Sequence, residues 1–325
     1  MKGVIIICGF VQKSLFLWSK IINKNDSSVM RKLLISLLVI WCATTAQAQL
    51  LWRITGGNCY KPSYLFGTIH LETASYIDSV PGLNEVIGCV DAIYGEVVQD
   101  EIMSKNVISK VLKESLAPAD STIDRLLTPD EYKMVDGVVK SYMMGIIGLD
   151  RLSKLKPMAI VMQLEAMQMA KYFPDFKSLA GGGIDMAVQN RGSELGKYVG
   201  GFETVEQQLS IAYGSTLQEQ ARALVEMCSK DKEFAENNRR LCDLYHSQDL
   251  KALEQHLFDP EKGMSSESIE RISYSRNRKW MDKIVATLPV QSMLIVVGAA
   301  HLVGDQGLIE LLRSRGYVVE AVDAP

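Results

Sequence analysis

Two stretches of this chain end alike, and that repetition restricts the available folds more than any other feature. Tyr64-Leu65-Phe66-Gly67-Thr68-Ile69-His70 and Ile295-Val296-Val297-Gly298-Ala299-Ala300-His301 are each an apolar run closed by Gly-x-x-His. A short apolar run with β-branched and aromatic residues, broken by glycine, reads as a buried strand. In open α/β sheets, ligands bind in the crevice outside the carboxyl ends of the strands. Each motif therefore places an imidazole where the chain leaves the sheet. Two of the chain's four histidines stand there. The other two, His246 and His256, fall in the polar helical stretch 241–257 and read as surface residues.

The rest of the chain supplies the elements such a sheet needs. Leu50 to Ile54 and Lys197 to Gly201 read as strands, as does Val90 to Val98, which carries Glu96 at its end. Met293 to Val297, a helix from Gly304 to Arg315 closed by Gly316, and Tyr317 to Val322 form a β-α-β unit. Between the outer parts lies a helical stretch, about 103–180, signalled by the capping box Thr128-Pro129-Asp130-Glu131 and by Lys156-Pro157. Nine of the fifteen methionines fall between Met103 and Met186. This methionine-rich layer reads as core filling rather than as an adaptable groove. Gly181-Gly182-Gly183 marks a loop or hinge, and Glu203 to Asp282 successive helices. The expected fold is α/β, a central mixed sheet with a helical insertion.

The first 48 residues read as a targeting segment. Met30-Arg31-Lys32, the apolar run Leu33 to Ala43 and Ala46-Gln47-Ala48 are the n-region, h-region and cleavage site of a secretory signal over 30–48. The apolar run falls short of the ~20 residues that a membrane helix needs. Residues 1–29 are a doubtful N-terminal extension, with Met30 the favoured start, and 49–325 is expected to be the mature domain. Six basic residues against one acid lie in 1–48, so the formal net charge of −3 becomes about −8 without them. An acidic body without a basic run argues against nucleic acid and anionic lipid as partners. Export permits disulfides among Cys59, Cys89, Cys228 and Cys242, and all three full pairings are open. One continuous helix over 228–242 would forbid that bridge. Templates with Cys-x-x-Cys, GxSxG, HExxH, Walker A or GxGxxG are absent from the sequence.

Two imidazoles need a third ligand for a metal, and Glu96 at another strand end supplies a His₂-carboxylate set with room for water. Such a cation would bring the pKa of that water near 7 and polarise a carbonyl.

The order of short motifs resembles the TraB/GumN family, which includes the pheromone-shutdown proteins and the Tiki metalloproteases. The motifs are Leu51-Trp52-Arg53-Ile54, the two GxxH segments, Tyr94-Gly95-Glu96, Gly183-Ile184-Asp185, Gly201-Phe202-Glu203-Thr204 with Glu206-Gln207, and Arg276-Asn277 with Trp280. The resemblance runs from about Leu51 to Val322 and departs at Phe202, where the family more often has Leu. It implies two pseudo-symmetric halves, each with one GxxH, a fold shared with erythromycin-esterase-like and haem-binding relatives. For the Tiki branch it also implies metal-dependent peptide hydrolysis, with manganese or cobalt as metal and zinc as a further candidate. His70, Glu96 and His301 become the metal set, with Glu96 also a catalytic candidate. Glu203, Arg276 and Asn277 become supporting or substrate-orienting candidates. Arg276 fits a surface charge equally well, and Asp185 reads as a helix cap. The leading expectation is an exported metal-dependent hydrolase of peptide bonds, periplasmic or envelope-associated. A haem- or metal-binding module and a silent protein that sequesters a peptide signal are the alternatives.

Mass spectrometry of the exported protein is expected to find Gln49 at its amino terminus. A stable species retaining Met30 to Ala48 would overturn that expectation.

Overall fold

The most apolar of the expected strands, Met293–Gly298, lies in the middle of the sheet because both of its faces are covered. The structure is a computed structural model that describes residues 50–102, 104–172, 183–259 and 263–322. The expected signal segment, the extension before it, Met103, Gly181 and Gly182 lie outside the described residues. Six strands form one mixed sheet: β1 (Leu51–Gly56), β2 (Ser63–Thr68), β3 (Ala92–Gly95), β4 (Tyr198–Gly201), β5 (Met293–Gly298) and β6 (Tyr317–Ala321). Their order is β4-β3-β5-β2-β1-β6. Strands β4, β3, β5 and β2 are parallel, and β1 pairs antiparallel with both β2 and β6.

The two GxxH strands are thus hydrogen-bonded neighbours. Their register is offset by one residue, since Gly67 lies opposite Val297 and Thr68 opposite Gly298. Gly67 is small for a packing reason: a Cβ there would stand 3.2 Å from the Cα of Ala299, in the turn that follows β5.

Helices α1 (Leu83–Cys89), α2 (Lys105–Glu114), α3 (Pro129–Tyr142), α4 (Pro157–Tyr172), α5 (Ile184–Glu194) and α6 (Val205–Ala212) are followed by α7 (Leu217–Ser229), α8 (Asp231–His246), α9 (Leu250–Leu257), α10 (Ser275–Thr287) and α11 (Leu308–Ser314). Threonine opens three of them with a capping box: Thr128 at α3, as the sequence indicates, Thr204 at α6 and Thr216 at α7. Two cores result. The larger joins the sheet to α1, α5, α8, α10 and α11 around Phe66, Ile93, Tyr245, Trp280 and Leu294. The smaller lies among α3, α4 and α7, around Val135, Ile160, Leu164, Leu224 and Met227. Met134, Met143 and Met158 pack against it as expected of core filling, whereas Met144 and Met162 are exposed.

Several boundaries differ from the sequence reading. The strand expected over 90–98 is only the four residues of β3; beyond it the Glu96 carbonyl still accepts from the Glu203 N–H, while its side chain accepts from Gly298. The helix expected from Gly304 begins at Leu308: Gly304 has φ of +81°, outside the helical region, and Gly307 is the N-cap. The stretch 228–242 is two helices broken at Lys230, and all four cysteines stand as free thiols.

Helix α5 crosses β3 at Gly192, where a Cβ would run into Cδ1 of Ile93 and stand 3.0 Å from its Cγ1. Ile93 is fully buried and has no space to yield. Gly192→Ala is therefore expected to destabilise the fold by about 1–3 kcal/mol, measured by urea denaturation. An unchanged midpoint would mean that the helix shifts at little cost.

Candidate functional site

Parallel strands that share one direction deliver their carboxyl ends to one edge, and four of them do so here. Read along the sheet from β4 to β2, the residues just beyond those ends are Glu203, Glu96, His301 and His70. Glu96, just beyond β3, is bound on both oxygens. Its Oε1 accepts from the backbone N–H of Gly298 at 3.0 Å, and its Oε2 from Gln208 at 2.9 Å and Arg276 at 2.5 Å. Burial opposes its charge, but the His301 imidazole, the Arg276 guanidinium, His70 and the Gly298 N–H outweigh burial and hold the carboxyl down at about 2.

His301 closes the short 3-10 turn after β5 and is buried. Asn277 of α10 holds it twice: Nδ2 donates to the His301 carbonyl at 3.0 Å, and Oδ1 stands 2.6 Å from Nδ1. That contact makes Nδ1 the protonated nitrogen and leaves the lone pair on Nε2. Nε2 lies 3.1 Å from Arg276 Nη1 and 3.6 Å from Glu96 Oε1. Burial first, then Arg276 and His70, push its pKa down to about 4 against the pull of Glu96, so the ring is neutral at pH 7. The indole of Trp280 packs on it, with ring centroids 4.5 Å apart.

Arg276, which fits a surface charge equally well on sequence alone, is buried. Its Nε and Nη2 donate to Glu203 at 2.8 to 3.2 Å, and Nη1 donates to the Ile272 carbonyl at 2.9 Å. Trp280 donates its indole N–H to Glu203 at 3.1 Å and lies under the guanidinium at 4.9 Å. A turn of π-helix at Glu270–Tyr274 directly precedes α10, a feature frequent at functional sites.

His70 differs from its counterpart, because its side chain is 82% exposed. Its Nδ1 is 3.8 Å from Asp185 Oδ2, while Thr68 donates to Asp185 Oδ1 at 2.8 Å. Asp185 is therefore not the expected cap. Gly183 takes the N-cap position of α5, and the Asp185 carboxylate turns toward β2. Burial raises its pKa, His70 opposes that shift, and Glu96 adds to it. His70 acts electrostatically on Glu96, Asp185 and His301 alike, which puts all four groups in one neighbourhood.

His246 is also more than a surface residue. Its Nε2 lies 2.5 Å from Oε2 of the buried Glu72, two residues beyond His70, while the neighbouring Tyr245 donates to the Gly67 carbonyl at 2.9 Å. Helix α8 thereby grips the first GxxH segment on both sides. A carboxylate two positions after the motif histidine was the available signal for Glu72. Gln208, one residue past Glu206-Gln207, had none.

Among the described residues, no three His, Cys, Asp or Glu side chains stand ready as a metal-holding group. The donor chemistry nonetheless suits a divalent cation: two imidazoles whose Nδ1 atoms each face a side-chain oxygen, and two buried carboxylates. The arrangement defines an α/β protein with an imidazole–carboxylate site at the ends of parallel strands. Residues 50–321 match the TraB/PrgY/gumN family, and the chain belongs to that family. It is 21% identical over 320 residues to the metalloprotease TIKI2 of Danio rerio, covering 83% of this chain and 60% of that protein. It is 22% identical over 341 residues to the metalloprotease TIKI1 of the same fish, covering 87% and 66%. The chain thus spans about three fifths to two thirds of the length of these relatives. No solved structure matches it.

A pH dependence of stability follows from His301. Its folded pKa lies below the unfolded value of 6.5, so as pH falls from 6.5 to about 4 the unfolded chain takes up a proton that the folded chain refuses. Stability present above pH 6.5 is lost across that window, on the order of 3 kcal/mol. Thermal melts in chelator should show this loss, and His301→Gln should flatten it; an equal slope in both proteins would contradict the assignment.

Proposed function

We propose that this protein is an exported metal-dependent hydrolase that cleaves peptide bonds in a peptide or protein substrate. The observation that carries the reading is the delivery of His70, His301 and Glu96 to one edge of the sheet by three adjacent parallel strands. The likeness to proteins named metalloproteases supports it. Side by side at the sheet centre, the GxxH strands support two pseudo-symmetric halves within a single domain over 49–325, with 103–180 as a helical insertion. The pattern of residues 30–48 supports export to the periplasm or envelope. Among the described residues no helix is long and apolar enough to cross a membrane.

His70, Glu96 and His301 would hold the cation, with manganese or cobalt favoured and zinc possible on donor type. When bound, the cation polarises the peptide carbonyl and lowers the pKa of a water. The chain's own residues do the rest. Asn277 fixes the His301 ring and keeps the hydrogen on Nδ1, so Nε2 presents its lone pair to the site. Glu96, with its low pKa, is a weak base and contributes charge and ligation. Asp185, raised by burial and adjacent to His70, is better matched to receive a proton. Glu203 anchors Arg276 beside the reacting groups, where the guanidinium orients a substrate carbonyl. His70, exposed at the mouth, completes the ligand set from the solvent side.

Peptide hydrolysis by the purified protein should vanish in chelator and return with manganese, cobalt or zinc to different extents. His70→Ala and His301→Ala should each lower it by roughly 100-fold or more while the melting transition persists. Cleavage undiminished by chelator and by His70→Ala would place the catalyst elsewhere.

A further inference from the structure

A neutral imidazole has one lone pair, and that of His301 is already in use. Its Nδ1 is committed to Asn277 Oδ1, and Nε2 faces Arg276 Nη1 at 3.1 Å. A protonated ring would turn an N–H against the guanidinium N–H, so the contact itself requires Nε2 to accept. The same guanidinium spends Nη2 on Glu96 Oε2 and Glu203 Oε2, Nε on Glu203, and its other Nη1 hydrogen on the Ile272 carbonyl. All five N–H donors are engaged. This explains why buried carboxylates from two neighbouring strand ends coexist, and why no three ligands stand ready for a cation.

We infer that Arg276 is the resident cation of the site: its guanidinium and a divalent metal compete for Nε2 of His301 and for Glu96, and metal enters only as the guanidinium withdraws onto Glu203. The inference rests on the reading that the site takes a divalent cation. Glu203 suits the retreat because both its oxygens already accept from the guanidinium and Trp280 secures one of them. Held there, Arg276 keeps the N–H groups released by Glu96 and His301 beside the metal, so the exchange leaves donors facing the substrate. Such a site resists weakly bound cations, because one of its two negative charges is already offset by the guanidinium.

Competition and support predict opposite signs. Calorimetric titration of the metal-stripped full chain with manganese should show Arg276→Gln binding roughly tenfold or more tighter than the wild type. Arg276→Lys keeps the charge but cannot reach all the acceptors at once, and should fall between them. Equal or weaker binding by both variants would overturn competition and make Arg276 a support for the ligands. If Arg276→Gln does not fold, Arg276→Lys decides alone by the same sign. In the wild type, zinc should shift the Arg276 guanidinium N–H resonances, assigned by their loss in Arg276→Lys; saturation with zinc that leaves them unmoved would also overturn the inference. Absence of manganese and zinc binding in every variant would instead sink the metal reading itself.

Discussion

One buried guanidinium lets the strand ends meet. Glu96 and Glu203 follow adjacent strands with their carboxylates largely shielded from water, and two such groups so close together repel unless a cation lies between them. Arg276 is that cation. Removing one partner from such a triad commonly costs several kcal/mol because a buried charge is left unpaired. Its position in turn depends on the π-helical turn that leads into α10 and on the Trp280 ring beneath it. The next residue on α10, Asn277, fixes His301, so one short helix positions both the central charge and the better-buried imidazole.

The two GxxH motifs are alike in sequence and unlike in surroundings. His301 is buried, neutral and oriented by an amide, whereas His70 is exposed, with its Nδ1 3.8 Å from Asp185 Oδ2. The difference arises from what covers each strand end. Beyond β5 the chain tucks under α10, whereas at β2 Tyr245 of α8 bonds Gly67 within the strand and His246 meets Glu72 beyond it. The inner histidine is a fixed part of the site and the outer one faces whatever enters.

Much of this was legible in the sequence because strand ends announce themselves. An apolar run, a glycine and a polar residue form a local pattern that marks the ends of β2, β3 and β5, where His70, Glu96 and His301 stand; the other strands show as apolar runs alone. The α/β class followed from the alternation of those runs with helical stretches. What stayed hidden was a set of partners mostly on helices: Asp185, Gln208, His246 against the loop residue Glu72, and the burial of Arg276. Whether a helical polar residue faces solvent or a strand end depends on which side of the helix meets the sheet. Arg276 sits within a basic run that looks solvated until Trp280 and Glu203 are seen to cover it. The late start of α11 was missed for a different reason, since glycine permits both the helical and the left-handed backbone that Gly304 adopts.

The place of β5 in the sheet has a consequence for how the molecule comes into being. It alone joins the β4–β3 pair to the β2–β1–β6 group, and its ladder with β2 links residues some 230 positions apart. Contacts between such distant segments form late, because a large loop must close before they are rewarded. Before β5 is made, the β-ladder that sets the glutamate beside the outer histidine is absent, leaving helical contacts such as that of Thr68 with Asp185 to link their strands. Assembly of the strand-end cluster therefore waits for nearly the whole polypeptide, since His301 and Arg276 both lie in its last fifty residues.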